Sequence, residues 1–345
     1  MKRKIISTAV IISCSVLLLN MVIGWTEKPT VISRAEIENS VSKSFLILQK
    51  SAYTFTERNK FKCASCHHNT LTSMVASLAR QKGVAEVDSL TTHRVASLEN
   101  NLVNAMNPNY FNEFIAANFV GPYTMLGLYA EKYPANIYTD IAVDYMMSQA
   151  KPDGSFITEV FRVPLEDGEI HLAAFSIRAI QLYAAPVKKK KVDELVARTK
   201  KFIESSNTTH QQEVVFQLLG MQWCGSDMTL KKQVAEKLKS MQNPDGGWSQ
   251  LPTLASDAYA TGQALYALYE SGVMKADDPV YQKGMSYLIK TQDPSGAWIV
   301  ATRSWPIQPF FSSDFPPYDE NQYISATATN WASLAMLEAL PDKAN

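Results

Sequence analysis

The sequence lacks an excess of charge of either sign. Its 345 residues include 33 Lys and Arg and 33 Asp and Glu, so the formal net charge at neutral pH is zero. A protein that attracts nucleic acid through its overall field carries a basic excess, which this chain does not have. The one basic run, Lys188–Lys191, is local and is expected to lie in a solvated loop between helices. We therefore expect no nucleic-acid partner.

The chain also has few cysteines. Only four occur: Cys14, Cys63, Cys66 and Cys224. Cys14 lies in an apolar N-terminal run, and the three that remain cannot pair off evenly. This number excludes a fold held together by disulfides. Cys224 is expected to be a small buried hydrophobic residue.

The N-terminus is unlike the rest of the chain. Lys2-Arg3-Lys4 precedes an uncharged, mostly apolar run of 21 residues from Ile5 to Trp25. A basic start followed by such a run is typical of a secretory signal or an uncleaved anchor, and its length suffices to cross a bilayer. We expect residues 1–25 to be a signal peptide or membrane anchor and residues 26–40 to be a linker. The protein is then extracytoplasmic, periplasmic or at the cell surface, and either secreted or membrane-anchored.

A repeated segment predicts the architecture. Gln242-Asn-Pro-Asp-Gly-Gly-Trp248 returns 50 residues later as Gln292-Asp-Pro-Ser-Gly-Ala-Trp298, and a weaker copy runs from Gln149 to Phe156. Each copy follows an apolar helical pattern, and no alternating strand pattern of useful length appears. Such repeats are typical of stacked helix pairs that bury their faces on their neighbours. About six pairs fit residues 41–345, and they can close into a ring of inner and outer helices around a cavity.

The helical patterns divide into six pairs. The predicted helices are Val41–Asn59 with Leu71–Gln81, a pair within Val95 to Ala130, Asp140–Gln149 with His171–Ala184, Val192–Ser205 with Gln211–Met221, Leu230–Gln242 with Asp257–Ser271, and Pro279–Gln292 with Ile324–Leu340.

These repeats resemble the QW motifs of the squalene–hopene cyclase family. The fullest copy consists of Lys283-Gly284, Tyr287, Leu288, Gln292, Gly296 and Trp298. In that family the Gln caps a neighbouring helix end and the Trp stacks on the next repeat. The resemblance implies an all-α, (α/α)6 toroid, a fold shared with protein prenyltransferase β-subunits. It also implies structural roles for the residues at the Gln and Trp positions, which are Gln149, Phe156, Gln242, Trp248, Gln292 and Trp298.

The resemblance leaves open whether the chain is an enzyme. Cyclases of this family use a DxDD motif near the start of an inner helix, whose middle Asp protonates an alkene. Here Asp257 matches the first acid, whereas Tyr259 replaces the proton donor and Ala260 the last acid. A phenol with a pKa of about 10 is too weak an acid to protonate an isolated double bond. Asp257 is either a catalytic or ligand-binding group or an ordinary helix N-cap, and the cavity is expected to be lined by Tyr259, Thr261 and Gln263.

The sharpest chemical motif is Cys63-Ala-Ser-Cys66-His67-His68. C-x-x-C-H is the attachment signature of c-type haem. Two thiols at this spacing can form thioethers to both vinyl groups of one porphyrin, and the adjacent His67 can bind the iron. The same residues also permit a Cys63–Cys66 disulfide, a zinc site made of the two thiols and a His, or a loop with no bound group. No position in the sequence favours one residue as a second iron ligand. The candidates are His93, His171, His210 and several Met residues.

The motif lies inside the first predicted helix pair, at residues 63–67. Aligning Gly83-Val84 with Gly272-Val273, which both close inner helices, puts His68 at the position of Asp257. The alignment predicts that Cys63 and Cys66 lie at the end of the ring where the inner helices begin, which we call the mouth.

Three functions remain open. The first is an exported toroid that carries a covalent haem c near an apolar cavity and has a redox or electron-transfer role with a redox partner. The second is a haem-free, terpenoid-cyclase-like enzyme that acts on an isoprenoid and uses Asp257. The third is a non-catalytic binding or scaffold toroid. In each case the ring can hold an apolar small molecule, and the N-terminal segment provides the link to a membrane.

Overall fold

The fold is described by a computed structural model that covers residues 31–59, 62–84, 90–105, 117–158, 162–304 and 313–342. These residues form twelve α-helices, and their only β-type pairings are three isolated bridges. The helices are α1 (Arg34–Arg58), α2 (Leu71–Lys82), α3 (Thr91–Ala105), α4 (Ala117–Ala130), α5 (Ile137–Ser148), α6 (Glu169–Tyr183), α7 (Lys189–Ser205), α8 (Gln211–Trp223), α9 (Met228–Ser240), α10 (Ala258–Glu270), α11 (Pro279–Thr291) and α12 (Gln322–Glu338). The predicted all-α class is confirmed, and each predicted helix overlaps an observed one.

The even-numbered helices form a closed inner ring. Each packs against the next, from α2 through α4, α6, α8 and α10 to α12, and α12 returns to α2. The odd-numbered helices pack outside them. Burial follows this division: α12 is buried along its whole length from Ile324 to Leu337, whereas α7 buries one stripe made of Val192, Leu195, Thr199 and Ile203. The predicted (α/α)6 toroid is therefore confirmed.

The inner helices run in the same direction, so they begin at one end of the ring. At the opposite end, Lys82 of α2 pairs with Glu338 of α12, and Arg80 of α2 pairs with Glu131 after α4. Trp223 of α8 likewise donates from Nε1 to Glu270 of α10 at 3.3 Å. The mouth thus gathers the first turns of all six inner helices.

Two of the repeated segments join consecutive outer helices. Gln242 Nε2 donates to the Val280 carbonyl at the start of α11 at 2.9 Å. Gln292 Nε2 donates to the Ser40 carbonyl of α1 at 3.0 Å, which closes the outer layer between the two ends of the chain. The indoles of Trp248 and Trp298 are fully buried, and each donates to a carbonyl of the preceding outer helix. The two Gln side chains thus link neighbouring outer helices, and the two Trp side chains attach each turn to the outer helix before it.

The first copy of the repeat departs from this pattern. Phe156 is buried in the Trp position, but Gln149 Nε2 donates only to the Ser148 hydroxyl, at 3.2 Å. The cause is one additional residue: five positions separate Gln149 from Gly154, whereas four separate Gln242 from Gly246. The Gln149 side chain thus does not link two outer helices as those of Gln242 and Gln292 do. A different bond replaces it, from the Thr199 hydroxyl of α7 to the Gly154 carbonyl at 2.9 Å.

The first helix begins earlier than expected. Ser33 caps α1 by accepting from the Glu36 amide, and the Glu36 carboxylate accepts from the Ser33 amide at 2.8 Å. This reciprocal capping box starts the helix at Arg34, inside the 26–40 range expected to be a linker. Residues 1–25, the expected signal peptide or anchor, lie outside the described residues. Within the described part of the chain, no helix has the length and apolar character needed to cross a bilayer.

Candidate functional site

The cysteine–histidine motif forms a π-helical turn that leads into α2. The turn covers Cys66–Thr70, and the Ser65 hydroxyl accepts from the amides of His67 and His68 at 3.2 and 3.3 Å. Short π-helical turns are rare in proteins, and those that occur often lie at functional sites. The motif therefore has an unusual backbone, held by its own side chains.

The turn lies at the mouth of the ring, as its alignment with Asp257 predicts. It precedes inner helix α2 and packs against α1, α4 and α12. Asn330 of α12 donates to the His67 carbonyl at 3.0 Å, and Asn101 of α3 donates to the Ala64 carbonyl at 2.8 Å. Neighbouring helices on both sides thus fix the position of the motif.

The two thiols of the motif are both free but differ in exposure. Cys63 is half-buried, with Sγ 3.3 Å from Asn59 Oδ1, whereas Cys66 is buried. Burial raises the pKa of both thiols, and the nearby Glu166 carboxylate raises that of Cys66 further. Both side chains are therefore neutral thiols at neutral pH.

Both histidines of the motif are buried and have a ring nitrogen with no hydrogen-bond partner. For His67 this atom is Nδ1, and for His68 it is Nε2. His68 stacks on Phe55 with ring centroids 5.4 Å apart, and burial lowers its pKa to about 3, so it is neutral. A buried polar atom without a partner costs roughly 1–3 kcal/mol. Two such atoms in adjacent residues point to a ligand-binding role for this turn.

A carboxylate from a distant part of the chain meets His67. Glu166 comes from the turn Arg162–Glu166, which precedes α6, and its Oε1 lies 3.8 Å from His67 Nε2. At this distance the contact is an ion pair, formed when the imidazole is protonated, and not a hydrogen bond. Burial raises the pKa of Glu166, but the contact with the His67 side chain and the charge of Arg162 outweigh burial, so the pKa is lowered on balance. No local pattern marks Glu166 as a site residue, because a loop brings it to the motif from about 100 residues away.

Of the three histidines considered as a second iron ligand, the structure brings one close to the motif. His171 Nε2 lies 3.0 Å from the Tyr123 hydroxyl, and the Tyr123 ring meets the His67 ring edge-on. Burial lowers the pKa of His171 to about 3, so this imidazole is neutral. His93 instead pairs with Glu57, and His210 is exposed. Tyr123 was not expected at the site, since nothing in its sequence context distinguishes it from a core aromatic residue.

Asp257 is both a helix cap and a perturbed acid. Its Oδ1 accepts from the Ala260 amide at 2.9 Å, which makes it the N-cap of α10, and its Oδ2 accepts from Gln250 Nε2 at 3.0 Å. Burial raises the pKa of Asp257 to about 6, although both hydrogen bonds oppose the shift. The carboxyl group is therefore partly protonated at mildly acidic pH.

A cavity of about 530 Å³ opens at the mouth between the first turns of α6 and α8. Its lining includes Asp167, His171, Gln212 and Arg303. The cavity is not lined by the three residues expected to do so, which are Tyr259, Thr261 and Gln263. Those side chains are buried, and two of them bond to protein groups: Tyr259 to Gln212, and Thr261 to the Trp248 amide.

Sequence comparisons relate parts of the chain to terpenoid cyclases. No protein-family model matches it. A segment of 170 residues, 45% of the chain, is 28% identical to drimenyl diphosphate synthase from Streptantibioticus cattleyicolor. A segment of 91 residues, 23% of the chain, is 33% identical to squalene–hopene cyclase from Bradyrhizobium diazoefficiens. The matched segments span only 30% and 14% of these two curated relatives.

Solved structures extend the likeness to the whole ring. The type II terpene cyclase MstE from Scytonema superimposes with a TM-score of 0.60 over 90% of this chain and 99% of that chain, at 12% identity. The chain is a terpene-cyclase-like α/α toroid. The same toroid also resembles a possible member of the GH105 family from Salmonella enterica, with a TM-score of 0.55, 12% identity and coverage of 90% of this chain and 94% of that one. Because proteins of different kinds share this ring, the likeness establishes the fold and not the activity.

Proposed function

We propose that this toroid is an extracytoplasmic protein that carries one haem c, attached through Cys63 and Cys66, with His67 as the protein ligand to the iron. The observation that carries the proposal is the pair of buried imidazoles with unpartnered nitrogens beside two thiols at C-x-x-C-H spacing. A ligand that takes up one of these nitrogens removes the cost of burying it unpaired.

The donor set fits haem better than the other groups that the motif permits. Zinc sites use three or four protein ligands, and the described residues contain no group of three or more His, Cys, Asp and Glu placed to hold a metal. A porphyrin supplies four of the iron's bonds itself, so one histidine and two anchoring thiols suffice. A haem would therefore need no protein ligand beyond the residues already at the mouth.

The surrounding residues would orient and shield such a group. Ser65 holds the backbone of both histidines, and Glu166 contacts the His67 ring from the turn before α6. The aromatic rings of Phe55 and Tyr123 exclude water on either side of the two histidines. A bound haem supplies one-electron redox chemistry, and the aromatic rings and the Glu166 carboxylate around it would tune its potential.

Export and a redox partner complete the proposal. Haem c is attached outside the cytoplasm, which agrees with the basic and apolar N-terminal segment. In this proposal that segment secretes the protein or anchors it to the membrane. Cys63 is the more exposed of the two thiols, so an electron-transfer partner would approach the mouth from that side.

The optical spectrum of the protein, made with and without haem-maturation factors, tests the proposal. We expect a Soret band only when the factors are present, and we expect its loss in the Cys63→Ser/Cys66→Ser variant. Cys224→Ser is the matched control, because this buried thiol lies at the far end of α8 and should leave the band unchanged. A folded protein without the band under all conditions would refute haem attachment.

A second candidate is a haem-free, terpenoid-cyclase-like enzyme that acts on an isoprenoid. The observation that favours it is Asp257, whose pKa is raised to about 6 beside the cavity, so a useful fraction is protonated near neutral pH. Two other structures in the comparison are MstE variants bound to isoprenoid-derived molecules, the product merosterolic acid A and the substrate geranylgeranyl dihydroxybenzoate. Turnover of a polyprenyl substrate that disappears in Asp257→Asn would support this candidate, whereas undiminished turnover would rule out Asp257 as the acid. If neither a haem nor turnover is found, the non-catalytic binding toroid is the function left.

A further inference from the structure

The cavity at the mouth has charges that select against anions. Among the described residues, its lining contains three carboxylates, those of Asp167, Glu169 and Glu213, and one guanidinium, that of Arg303. Arg303 Nε is already bonded to Gln250 Oε1 at 2.8 Å. Of the two lining histidines, His171 is neutral because burial lowers its pKa. A diphosphate placed here would meet more negative than positive charge.

Acidic side chains of the protein itself also lie at the helix N-termini that face the cavity. The first turns of α6 and α8 would ordinarily attract an anion. At α8, the Glu213 carboxylate accepts from the amides of Thr209 and His210 at 2.6 and 3.0 Å. At α6, the first residue is Glu169, which also pairs with Lys151. The Glu213 carboxylate therefore occupies the amides that precede α8, and Glu169 places a further negative charge at the start of α6.

One carboxylate in the lining is placed to accept hydrogen bonds from a ligand. The Asp167 backbone is pinned, since its carbonyl lies 3.2 Å from both His171 Nδ1 and Gln212 Nε2. Its carboxylate, by contrast, receives no hydrogen bond from any described residue. A carboxylate in this position binds a hydroxyl or another donor and repels an acceptor-only group such as an ionised diphosphate.

The remaining wall of the cavity is part polar, with Ser206, Asn207, Gln212 and Gln250, and part apolar. The apolar residues include Val163, Pro164, Ile170, Phe202 and Leu251. A volume of about 530 Å³ lies within the range of pockets that hold small organic ligands. The cavity thus combines a partly apolar wall with one free carboxylate and a net negative lining.

We propose that this cavity binds the hydroxyl end of an uncharged amphiphile, with Asp167 accepting the hydroxyl hydrogen bond, and that it rejects prenyl diphosphates. This inference rests on the proposed capacity of the toroid to hold an apolar molecule and does not depend on the haem. It names the head group that the site takes.

Geraniol and geranyl diphosphate test the head group directly, because they share one hydrocarbon chain. Calorimetric titration should show geraniol binding at least tenfold more tightly than the diphosphate. Asp167→Asn should narrow this preference severalfold, since it removes a negative charge and keeps an oxygen acceptor. Asp193→Asn is the control: it makes the same change at an exposed position of α7, where Asp193 pairs with Lys189, and should leave the ratio unchanged.

A blocking variant locates the bound alcohol. Leu251→Trp enlarges a half-buried side chain of the lining and should abolish geraniol binding. The inference is overturned if the diphosphate binds as tightly as geraniol, if Leu251→Trp binds geraniol normally, or if geraniol does not bind at all. The Soret band is recorded on the same samples. An intact band without geraniol binding overturns this inference alone, whereas a missing band with selective geraniol binding overturns only the haem proposal.

Discussion

At the scale of single residues, the mouth of the ring is built from polar groups that are buried at a cost. His67 and His68 lie in the turn before α2, and each has a buried ring nitrogen with no hydrogen-bond partner. Asp257 is the N-cap of α10, and burial disfavours its charged form. Such perturbed groups concentrate at functional sites more than in ordinary cores. Asp257 gives the clearest test, because its charge depends on pH whereas a helix cap can also be formed by a side chain that does not ionise.

Replacing Asp257 by Asn should change how stability depends on pH. Burial raises the folded-state pKa of Asp257 from 3.8 to about 6, so the folded protein binds this proton more tightly than the unfolded chain. The associated stability is present below pH ~4 and is lost as the pH rises to ~6. Because Asn keeps the cap but cannot ionise, the variant should gain roughly 1–3 kcal/mol over the wild type between pH 4 and pH 7. Urea unfolding at both pH values measures the difference.

The Asp257→Ala variant separates the cap from the charge. It should follow the same pH trend but lie about 1 kcal/mol below Asp257→Asn at every pH, because the α10 cap is lost. A stability difference between wild type and Asp257→Asn that does not vary with pH would show that the carboxyl group is not buried as described.

At the scale of helices and their connections, the repeated turns bring outer helices into close contact. Gly296 has a φ of +93°, and a Cβ added there would lie 2.7 Å from the Lys43 carbonyl group of α1. Gly225 has a comparable φ of +68°, but an added Cβ would meet no atom within 4 Å. Both positions therefore favour Gly because of their positive φ, but only at Gly296 would a side chain also clash with a neighbouring helix.

Alanine substitutions at these two glycines should have unequal costs. Gly225→Ala should lower the free energy of unfolding by about 1 kcal/mol, the cost of a left-handed conformation alone. Gly296→Ala adds a clash with the α1 backbone, so the loss should be roughly 2–4 kcal/mol. Denaturant titration of both variants gives the comparison, and equal losses would mean that the last repeat does not contact α1.

The features that could be predicted from the sequence are encoded by residues close together in the chain, and those that could not depend on contacts between distant segments. The repeats around Gln242 and Gln292 predicted the ring because each copy contains its own helix end, turn and anchor. The Gln149 side chain makes a different contact from its counterparts because one extra residue before Gly154 changes its alignment. Glu166 could not be found at all, since its position beside His67 depends on where a long loop returns to the ring.

At the scale of the whole molecule, the two ends of the ring differ chemically. The mouth carries the motif and the cavity, whereas the opposite end carries an acid cluster in which Lys82 contacts Glu338 at 3.8 Å and Asp342 at 2.9 Å. Burial raises the pKa of Glu338 to about 7, and the nearby Glu270 and Asp342 add to the shift against the charge of Lys82. Acids at both ends thus titrate above their ordinary range.

The contributions of Asp257 and Glu338 to stability should both fall between pH ~5 and pH ~7. Both acids have raised folded-state pKa values, so these contributions are lost as the pH increases through this window. The buried His68 and His171, whose pKa values are lowered to about 3, act in the opposite direction over the same window, so the test compares each variant with the wild type. Glu338→Gln should gain stability relative to the wild type as the pH rises, and combining it with Asp257→Asn should add the two gains, because the two sites lie at opposite ends of the ring. Glu194→Gln, at an exposed position of α7, is the control and should keep a constant difference from the wild type. A difference between Glu338→Gln and the wild type that does not change with pH would contradict the burial of this acid.

The most direct test of the account is the mass of the tryptic peptide Cys63–Arg80 from protein purified from its native source. Cleavage after Lys62 and Arg80 isolates both thiols and both histidines of the motif in one fragment. The account predicts that this peptide carries the mass of one haem and that neither thiol reacts with an alkylating reagent. An unmodified peptide in which both thiols are alkylated would contradict it.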